Sequence, residues 1–144
     1  MSRAKHGRNG IWSTPTKLWN DCVEYFKWVE ANPLVEQKAF SYQGDVSVVD
    51  LTKMRAMTKN GLCIHLGISQ TAWDNYKAKE DFVGVTTRVE EIIYEQKFTG
   101  AAADLLNHNI IARDLGLRDK VDSEITGKDG EPLVPVINVT IGKP

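Results

Sequence analysis

The spacing of apolar residues constrains this chain most, because they recur every three or four positions in its first long segment. Thr14-Pro15 opens that segment with a hydroxyl cap and a proline at the first helical position. Asn32-Pro33 closes it, since the residue before a proline avoids helical geometry. The residues that form the stripe are Leu18, Cys22, Tyr25, Phe26 and Val29. This pattern predicts an amphipathic helix whose stripe faces the core.

Two shorter helices are predicted between residues 58 and 79. Thr58 and Ser69 are suited to cap them, and Gly67 separates them. The second helix places Ala72, Trp73 and Tyr76 on one side. Helix, short glycine turn and helix is the order of a helix-turn-helix, whose second helix enters the major groove of DNA.

Residues 37–51 lack the helical spacing and are rich in β-branched and aromatic residues. Ala39-Phe40-Ser41-Tyr42 and Val46-Ser47-Val48-Val49 lie on either side of a turn at Gly44-Asp45. The pattern predicts a short β-hairpin or an irregular excursion from the helical lobe.

Two further helices are predicted at 82–98 and 101–115, separated by Thr99-Gly100 and ended by Gly116. A short break between two long helices indicates an antiparallel helical hairpin. Ile111 and Leu115 fall outside the main apolar arc of the second helix. Packing against the N-terminal lobe and contact with a neighbouring subunit both remain open as explanations.

The segment from Asp119 to Glu131 is polar, and an apolar stretch follows at 133–141. Alternation of Val139 and Ile141 with polar residues predicts a strand. A single strand is not stable alone, so it needs a sheet edge in this chain or matching strands from other subunits.

The net charge of −1 is distributed unevenly. Residues 1–10 carry three basic and no acidic side chains, and residues 53–79 carry five basic side chains against Asp74 alone. The local charge of a surface governs phosphate binding more than the net charge of the whole chain does. The outer side of the second short helix also offers amide and hydroxyl groups that can bind base edges. The predicted DNA-binding residues are Arg3, Lys5, Arg8, Lys53, Arg55, Lys59, Gln70, Thr71, Asn75, Lys77 and Lys79.

Enzymatic sites are not expected. The chain has neither a phosphate-binding Gly-x4-Gly-Lys-Ser/Thr loop nor a Gly-x-Ser-x-Gly nucleophile turn, and its three histidines lie in unrelated settings. Cys22 and Cys63 are expected to be buried free thiols, since Cys63-Ile64-His65 supplies too few zinc ligands. We therefore expect no catalytic residue, metal or cofactor. No run of 18 apolar residues and no secretory signal are found in the sequence, so no membrane partner is expected.

Several stretches between residues 14 and 118 resemble a known family. They are Leu18-Trp19, Asn32-Pro33-Leu34, Lys38-Ala39-Phe40-Ser41-Tyr42-Gln43-Gly44, Lys53-Met54-Arg55-Ala56-Met57-Thr58, Leu66-Gly67-Ile68-Ser69, Ile92-Ile93-Tyr94, Gln96-Lys97-Phe98, Gly100-Ala101-Ala102-Ala103-Asp104-Leu105-Leu106-Asn107 and Asn109-Ile110-Ile111-Ala112-Arg113. With these stretches the chain resembles the small terminase subunit, or DNA-packaging protein, of tailed phages, closest to that of headful-packaging, short-tailed phages.

The resemblance implies a mainly α protein that assembles as a closed ring, with a nonamer as the expected size. It implies a flexible basic arm (1–12) and an N-terminal helical lobe (13–80), which contains the β-excursion (37–51) and the helix-turn-helix (58–79). A helical hairpin for oligomerisation (81–118) follows. The last segment is a linker with a C-terminal strand (119–144), and this strand contributes to an inter-subunit β-crown. The interface residues predicted within the helical hairpin are Val85, Val89, Ile92, Ile93, Leu105, Leu106, Ile110, Ile111 and Leu115. Contact with the large terminase subunit is predicted for Leu133, Val136, Val139 and Ile141.

In function, the resemblance implies recognition of concatemeric viral double-stranded DNA at the packaging site. It also implies regulation of the ATPase and nuclease of the large terminase in the host cytoplasm, with no catalytic centre in this chain and no place in the mature virion. Some close relatives end in a strongly basic tail, whereas this chain has only Lys143 after its apolar stretch. DNA binding is therefore predicted for the helix-turn-helix and the arm. The alternatives are a dimeric helix-turn-helix transcription regulator and a structural adaptor without a DNA role.

Overall fold

The computed structural model describes residues 10–118, which form five helices and one two-stranded antiparallel sheet. The elements are α1 (Pro15–Ala31), β1 (Leu34–Tyr42), β2 (Asp45–Lys53), α2 (Lys59–Leu66), α3 (Gln70–Lys77), α4 (Glu80–Ala102) and α5 (His108–Leu115). The prediction of a mainly helical protein is confirmed. The predicted strand at 133–141 and the four predicted large-subunit contacts (Leu133, Val136, Val139 and Ile141) lie outside the described residues.

The predicted capping residues begin and end the helices as expected. The Thr14 hydroxyl accepts a hydrogen bond from the Lys17 backbone N–H (3.4 Å), and Thr58 accepts one from the Gly61 N–H (2.9 Å). Ser69 accepts one from the Ala72 N–H (3.0 Å). Gly67 and Gly116, which end α2 and α5, have φ values of 71° and 70°. This left-handed backbone is one that glycine adopts without steric cost, so both helices stop there.

The core lies where α1, α2 and α3 meet the long helix α4. Its fully buried side chains include Leu18, Cys22, Leu62, Trp73 and Val89. The predicted stripe of α1 is buried except at Phe26, which is half-buried against the core. Helix α4 also packs against α5, so it is the element that joins the lobe to the end of the described chain.

The β-hairpin confirms the predicted β-excursion but is longer than predicted, with strands that pair from Leu34 with Lys53 to Tyr42 with Asp45. Its turn consists of Gln43 and Gly44, one residue earlier than expected, and both have positive φ values, of 49° and 86°. Two such residues match the right-handed twist of a two-residue hairpin. The strands contact each other, and neither packs extensively on a helix.

The prediction of two long helices at 82–98 and 101–115 is wrong. Helix α4 continues through Gly100 to Ala102, and α5 has only eight residues. Gly100 is buried, and a Cβ there would lie 2.7 Å from Leu106 Cδ1 and 2.9 Å from the Met54 sulfur. The glycine therefore permits close packing and does not end the helix. The chain leaves α4 at Asp104, with a φ of 58°, and Asn107 caps α5.

Helix α5 folds back onto α4 and covers Ile111 within one chain. This side chain is 7% exposed within a single chain, and Leu115 is half-buried. The almost fully buried Lys97 of α4 forms an ion pair with Asp114 of α5. Packing within the chain therefore accounts for the burial of Ile111.

Candidate nucleic-acid interface

A single carboxylate on α4 holds helix α3 in place. The Trp73 indole N–H donates to Glu90 Oε1, and the Lys77 ammonium donates to Glu90 Oε2, both at 2.9 Å. Trp73 is fully buried, so its indole N–H depends on this acceptor. Because both carboxylate oxygens are used, the rotation of α3 about its axis is fixed relative to α4.

The outer face of α3 carries the polar side chains that were predicted to meet base edges. Gln70, Thr71 and Asn75 are exposed, whereas Trp73 and Tyr76 are buried on the inner side. The Gln70 amide donates to Asn60 Oδ1 of α2 at 3.3 Å. The structure thus brings these three predicted residues together on one accessible surface.

Carboxylates offset much of the predicted positive charge. Lys59 pairs with Asp74 at 2.7 Å, Lys77 pairs with Glu90, and Lys53 pairs with Glu36. The hydrogen bond between Lys59 and Asp74 raises the pKa of the lysine and lowers the pKa of the aspartate.

The hydrogen bond from Lys53 similarly lowers the pKa of Glu36. Glu36 and Glu90 lie outside residues 53–79, so the local charge count omitted them. The surface is less basic than its sequence suggests.

Lys53 and Arg55 do not contact α3. Lys53 contacts β1 through Glu36, and the Arg55 Nε donates to the Asn32 backbone oxygen at 2.6 Å. The Arg55 guanidinium also lies 5.1 Å from the Trp28 ring centroid. Lys79, in contrast, lies directly after α3, with its ammonium 4.6 Å from the Tyr76 ring centroid. Lys59, Lys77 and Lys79 are therefore the predicted cations that the structure places against α3 or at its end.

Two side chains that sequence reasoning missed hold the segment leading into α2. The Gln96 amide accepts from the Met57 N–H at 2.9 Å and donates to the Arg55 carbonyl at 3.0 Å. The Tyr25 hydroxyl accepts from the Thr58 N–H at 3.1 Å and donates to the Thr58 carbonyl at 3.3 Å. These partners are 33 to 41 residues apart in the chain, so no local pattern could reveal them.

Trp12 anchors the described end of the N-terminal arm beside α3. Its ring packs edge-on against Tyr76 at 5.1 Å, and its indole N–H donates to Asp21 Oδ2 at 2.7 Å. A Cβ at Gly10 would come within 2.4 Å of the Tyr76 hydroxyl oxygen. Trp12 is buried in the core, so the described end of the predicted arm (1–12) packs on the lobe. Arg3, Lys5 and Arg8 lie outside the described residues.

The predicted oligomer-interface residues differ in their burial within one chain. Val89, Ile93 and Ile111 are buried there and have little surface to offer a neighbour. Leu105 and Ile110 are exposed. The remaining predicted residues are half-buried: Val85, Ile92, Leu106 and Leu115.

Cys22 and Cys63 are buried free thiols, as predicted. Burial raises the pKa of the Cys22 thiol to about 12, and the nearby Asp21 and Cys63 add to the shift. In residues 10–118, no histidine, cysteine and carboxylate side chains gather in a group of three or more that could hold a metal ion. No helix in that range is both long and apolar enough to cross a membrane.

Comparison with known proteins agrees with the resemblance drawn from the sequence. A profile of the family described as DNA-packaging protein gp3 matches residues 7–125. The terminase small subunit of Salmonella phage P22 is 54% identical over 123 residues, which cover 85% of this chain and 76% of that protein. The chain therefore belongs to the DNA-packaging protein gp3 family, the small subunits of phage terminases.

Proposed function

We propose that this small terminase subunit recognises the packaging site on concatemeric viral double-stranded DNA through α3 and the N-terminal arm. It assembles as a homo-oligomeric ring and regulates the ATPase and nuclease of the large terminase subunit. Family membership supports a role in DNA packaging. The geometry of the α2–α3 region supports the assignment of the DNA-binding surface.

The observation that carries the proposal is the anchoring of Gly10 and Trp12 on Tyr76 of α3. The nine residues before Gly10 include three cations, and Gly10 itself lies beside Lys79 at the end of α3. Arginine and lysine contact phosphates, while amide side chains such as Gln70 and Asn75 pair with adenine edges. The proposed interface thus combines base-reading side chains on the outer face of α3 with cations near the end of that helix.

A single lobe is expected to bind DNA weakly. Lys59 and Lys77 are paired with carboxylates, and Asp74 on the outer face of α3 opposes phosphate. Several linked lobes bind more tightly than one, because later contacts become intramolecular and avidity rises by roughly 10²–10⁴. A ring of nine copies supplies that multiplicity, which is why assembly and DNA recognition belong to the same proposal.

The ring wall is assigned to α4 and α5. Leu105 and Ile110 remain exposed in one chain, and burying each fully contributes about 1.5–3 kcal/mol. The half-buried Leu106 and Leu115 lie near them in the sequence. Contact with the large subunit is assigned to the segment 133–141 and its apolar residues Leu133, Val136, Val139 and Ile141.

The proposed subunit acts by binding and not by catalysis, and it works in the host cytoplasm outside the mature virion. The large subunit provides the ATPase and nuclease that it regulates.

The proposal is tested by DNA-binding measurements on the full chain. A variant with Arg3, Lys5 and Arg8 changed to alanine is titrated with labelled duplexes from the phage genome over a range of salt concentrations. The slope of log affinity against log salt is expected to fall in magnitude by roughly 0.9 for each phosphate that the variant no longer neutralises. A second variant, Gln70→Ala with Asn75→Ala, is expected to lose preference among duplexes with little change in salt slope.

The matched control removes three exposed cations that lie away from α3: Lys27, Arg88 and Arg118. It is expected to bind DNA like the wild type. If the arm variant and the control weaken binding equally, charge alone is responsible and the assigned surface is wrong.

A further inference from the structure

The β-hairpin exposes apolar side chains that no part of residues 10–118 covers. Phe40 and Tyr42 are 50% and 75% exposed on one face, and Val35, Val46 and Val48 are exposed on the other. An isolated two-stranded hairpin is marginally stable in water, and contiguous apolar surface usually marks an interaction site. The hairpin therefore needs a partner outside its own lobe.

The two faces of the hairpin follow from the strand register. Leu34, Phe40 and Tyr42 of β1 share one face with Val49 and Leu51 of β2. Lys38 lies on the same face, opposite Val49, together with Glu36, Asp45 and Lys53. Lys53 pairs with Glu36, and Lys38 also lowers the pKa of Glu36 by its charge. This face, which we call the aromatic face, combines an apolar surface with the Lys38 ammonium near its middle.

A complementary surface lies on α4 of the same chain. Tyr94 and Phe98 are exposed, and their rings stack with centroids 6.3 Å apart and planes 7° apart. Glu91 and Glu95 share that helix face, because residues three and four apart are neighbours on a helix. Tyr94, Glu91 and Glu95 also line a shallow groove with Thr87 and Glu90. The α4 patch, defined as Glu91, Tyr94, Glu95 and Phe98, is thus aromatic and acidic.

The size of the hairpin indicates what kind of contact it makes. Nine residues at about 3.3 Å each give a length near 30 Å, and two strands give a width near 10 Å. One face then offers roughly 300 Å², well below the about 800 Å² that each partner contributes to a stable interface. The hairpin therefore adds to a larger contact and does not form one alone.

We propose that the aromatic face of the hairpin of one copy docks on the α4 patch of a neighbouring copy. Phe40 and Val49 pack on Tyr94 and Phe98, and the Lys38 ammonium lies against the carboxylates of Glu91 and Glu95. The two surfaces belong to different parts of the chain, so the contact is head-to-tail and is compatible with ring closure. This inference rests on the proposed ring and specifies a second contact beside that of α4 and α5.

Charge reversal tests the contact on the full chain by native mass spectrometry. Lys38→Glu and Glu95→Lys, each alone, are expected to weaken subunit association about tenfold, since juxtaposed like charges oppose binding. The double variant, with both reversals, is expected to recover the assembly. Both positions are exposed, and circular dichroism confirms that each variant is folded.

A crosslink provides the second measurement. Phe40→Cys and Phe98→Cys proteins are mixed and treated with a short bis-maleimide, which is expected to join unlike copies. The control partner is Ile64→Cys, since Ile64 is 72% exposed but lies on α2. The wild-type thiols Cys22 and Cys63 are buried.

The outcomes separate the two proposals. A wild-type monomer overturns the ring and the docking contact together. A wild-type ring with unaffected single reversals, or with equal crosslinking to Ile64→Cys and Phe98→Cys, overturns the docking contact alone. If the charge reversals leave the ring intact but abolish binding to DNA or to the large subunit, the hairpin contacts that DNA or subunit instead. This result also overturns the docking contact between copies.

Discussion

Replacing Glu90 with alanine removes the carboxylate that joins α3 to α4, and this change is expected to lower the free energy of unfolding substantially. The fully buried Trp73 indole N–H loses its acceptor, which costs about 1–3 kcal/mol. The Lys77–Glu90 pair is about one-third exposed on each side, so water screens it and its removal adds roughly 0.2–1 kcal/mol. The expected total is about 1–4 kcal/mol.

The variant Glu90→Gln separates the two contributions. Glutamine keeps an oxygen acceptor for the Trp73 N–H and loses only the charged partner of Lys77, so its expected cost is below about 1 kcal/mol. Thermal unfolding followed by tryptophan fluorescence and circular dichroism measures both variants. For a chain of this size each kcal/mol corresponds to a shift of roughly 2–4 °C or somewhat more.

The matched control is Glu24→Ala, because Glu24 is an exposed carboxylate whose partner, Lys27, is also exposed. Its expected effect is within about 0.5 kcal/mol. If Glu90→Ala and Glu90→Gln unfold at the same temperature, the indole hydrogen bond does not hold α3, and the reasoning about the orientation of α3 is refuted.

Three other predictions concern packing and pH. Gly100→Ala is expected to cost about 1–3 kcal/mol in chemical denaturation, because the added methyl overlaps Leu106. Ile111→Asp is expected to destabilise the single chain by more than about 3 kcal/mol, because it buries an unpaired carboxylate. An unchanged unfolding midpoint together with an altered oligomer mass would contradict the expected loss of stability. The hydrogen bond from Lys59 lowers the pKa of Asp74 in the folded protein, so their ion pair stabilises the fold above the unfolded pKa of aspartate, near pH 4. This stabilisation is lost as the pH falls through the lower pKa of the folded state. The acid-unfolding curve of Asp74→Asn should therefore lack the loss of stability that the wild type shows in this pH range.

Local chemistry explains the parts of the fold that the sequence predicted well. Thr14, Thr58 and Ser69 cap helices through their own backbone neighbours, and Gly67 and Gly116 end helices through their own φ values. Each of these effects acts within about four residues, so it can be recognised without knowledge of the tertiary structure.

Gly100 shows why the second part of the helical region was predicted wrongly. A glycine after Thr99 is consistent both with a helix end and with a close helix contact, and only Met54 and Leu106 decide between them. Met54 is 46 positions away in the sequence. The burial of Ile111 depends in the same way on how α5 folds back, which is set by the turn at Asp104.

The sequence predicted which polar side chains lie on the candidate DNA surface, but it did not predict which of the lysines there are paired with carboxylates. The exposed positions of Gln70, Thr71 and Asn75 follow from helical periodicity once Trp73 and Tyr76 are assigned to the core. The pairing of Lys77 with Glu90 and of Lys53 with Glu36 depends on contacts between separate elements. A charge count along the chain records net charge within a window and cannot record such pairs.

The double hydrogen bond of Gln96 restricts which amino acids position 96 tolerates. Glutamate would keep the acceptor for the Met57 N–H but lose the donor for the Arg55 carbonyl, and asparagine is one methylene too short to reach both. Glutamine alone has both groups at the required length. Related chains that preserve this entry into α2 should therefore retain glutamine here, even though the position has no role in contacting DNA.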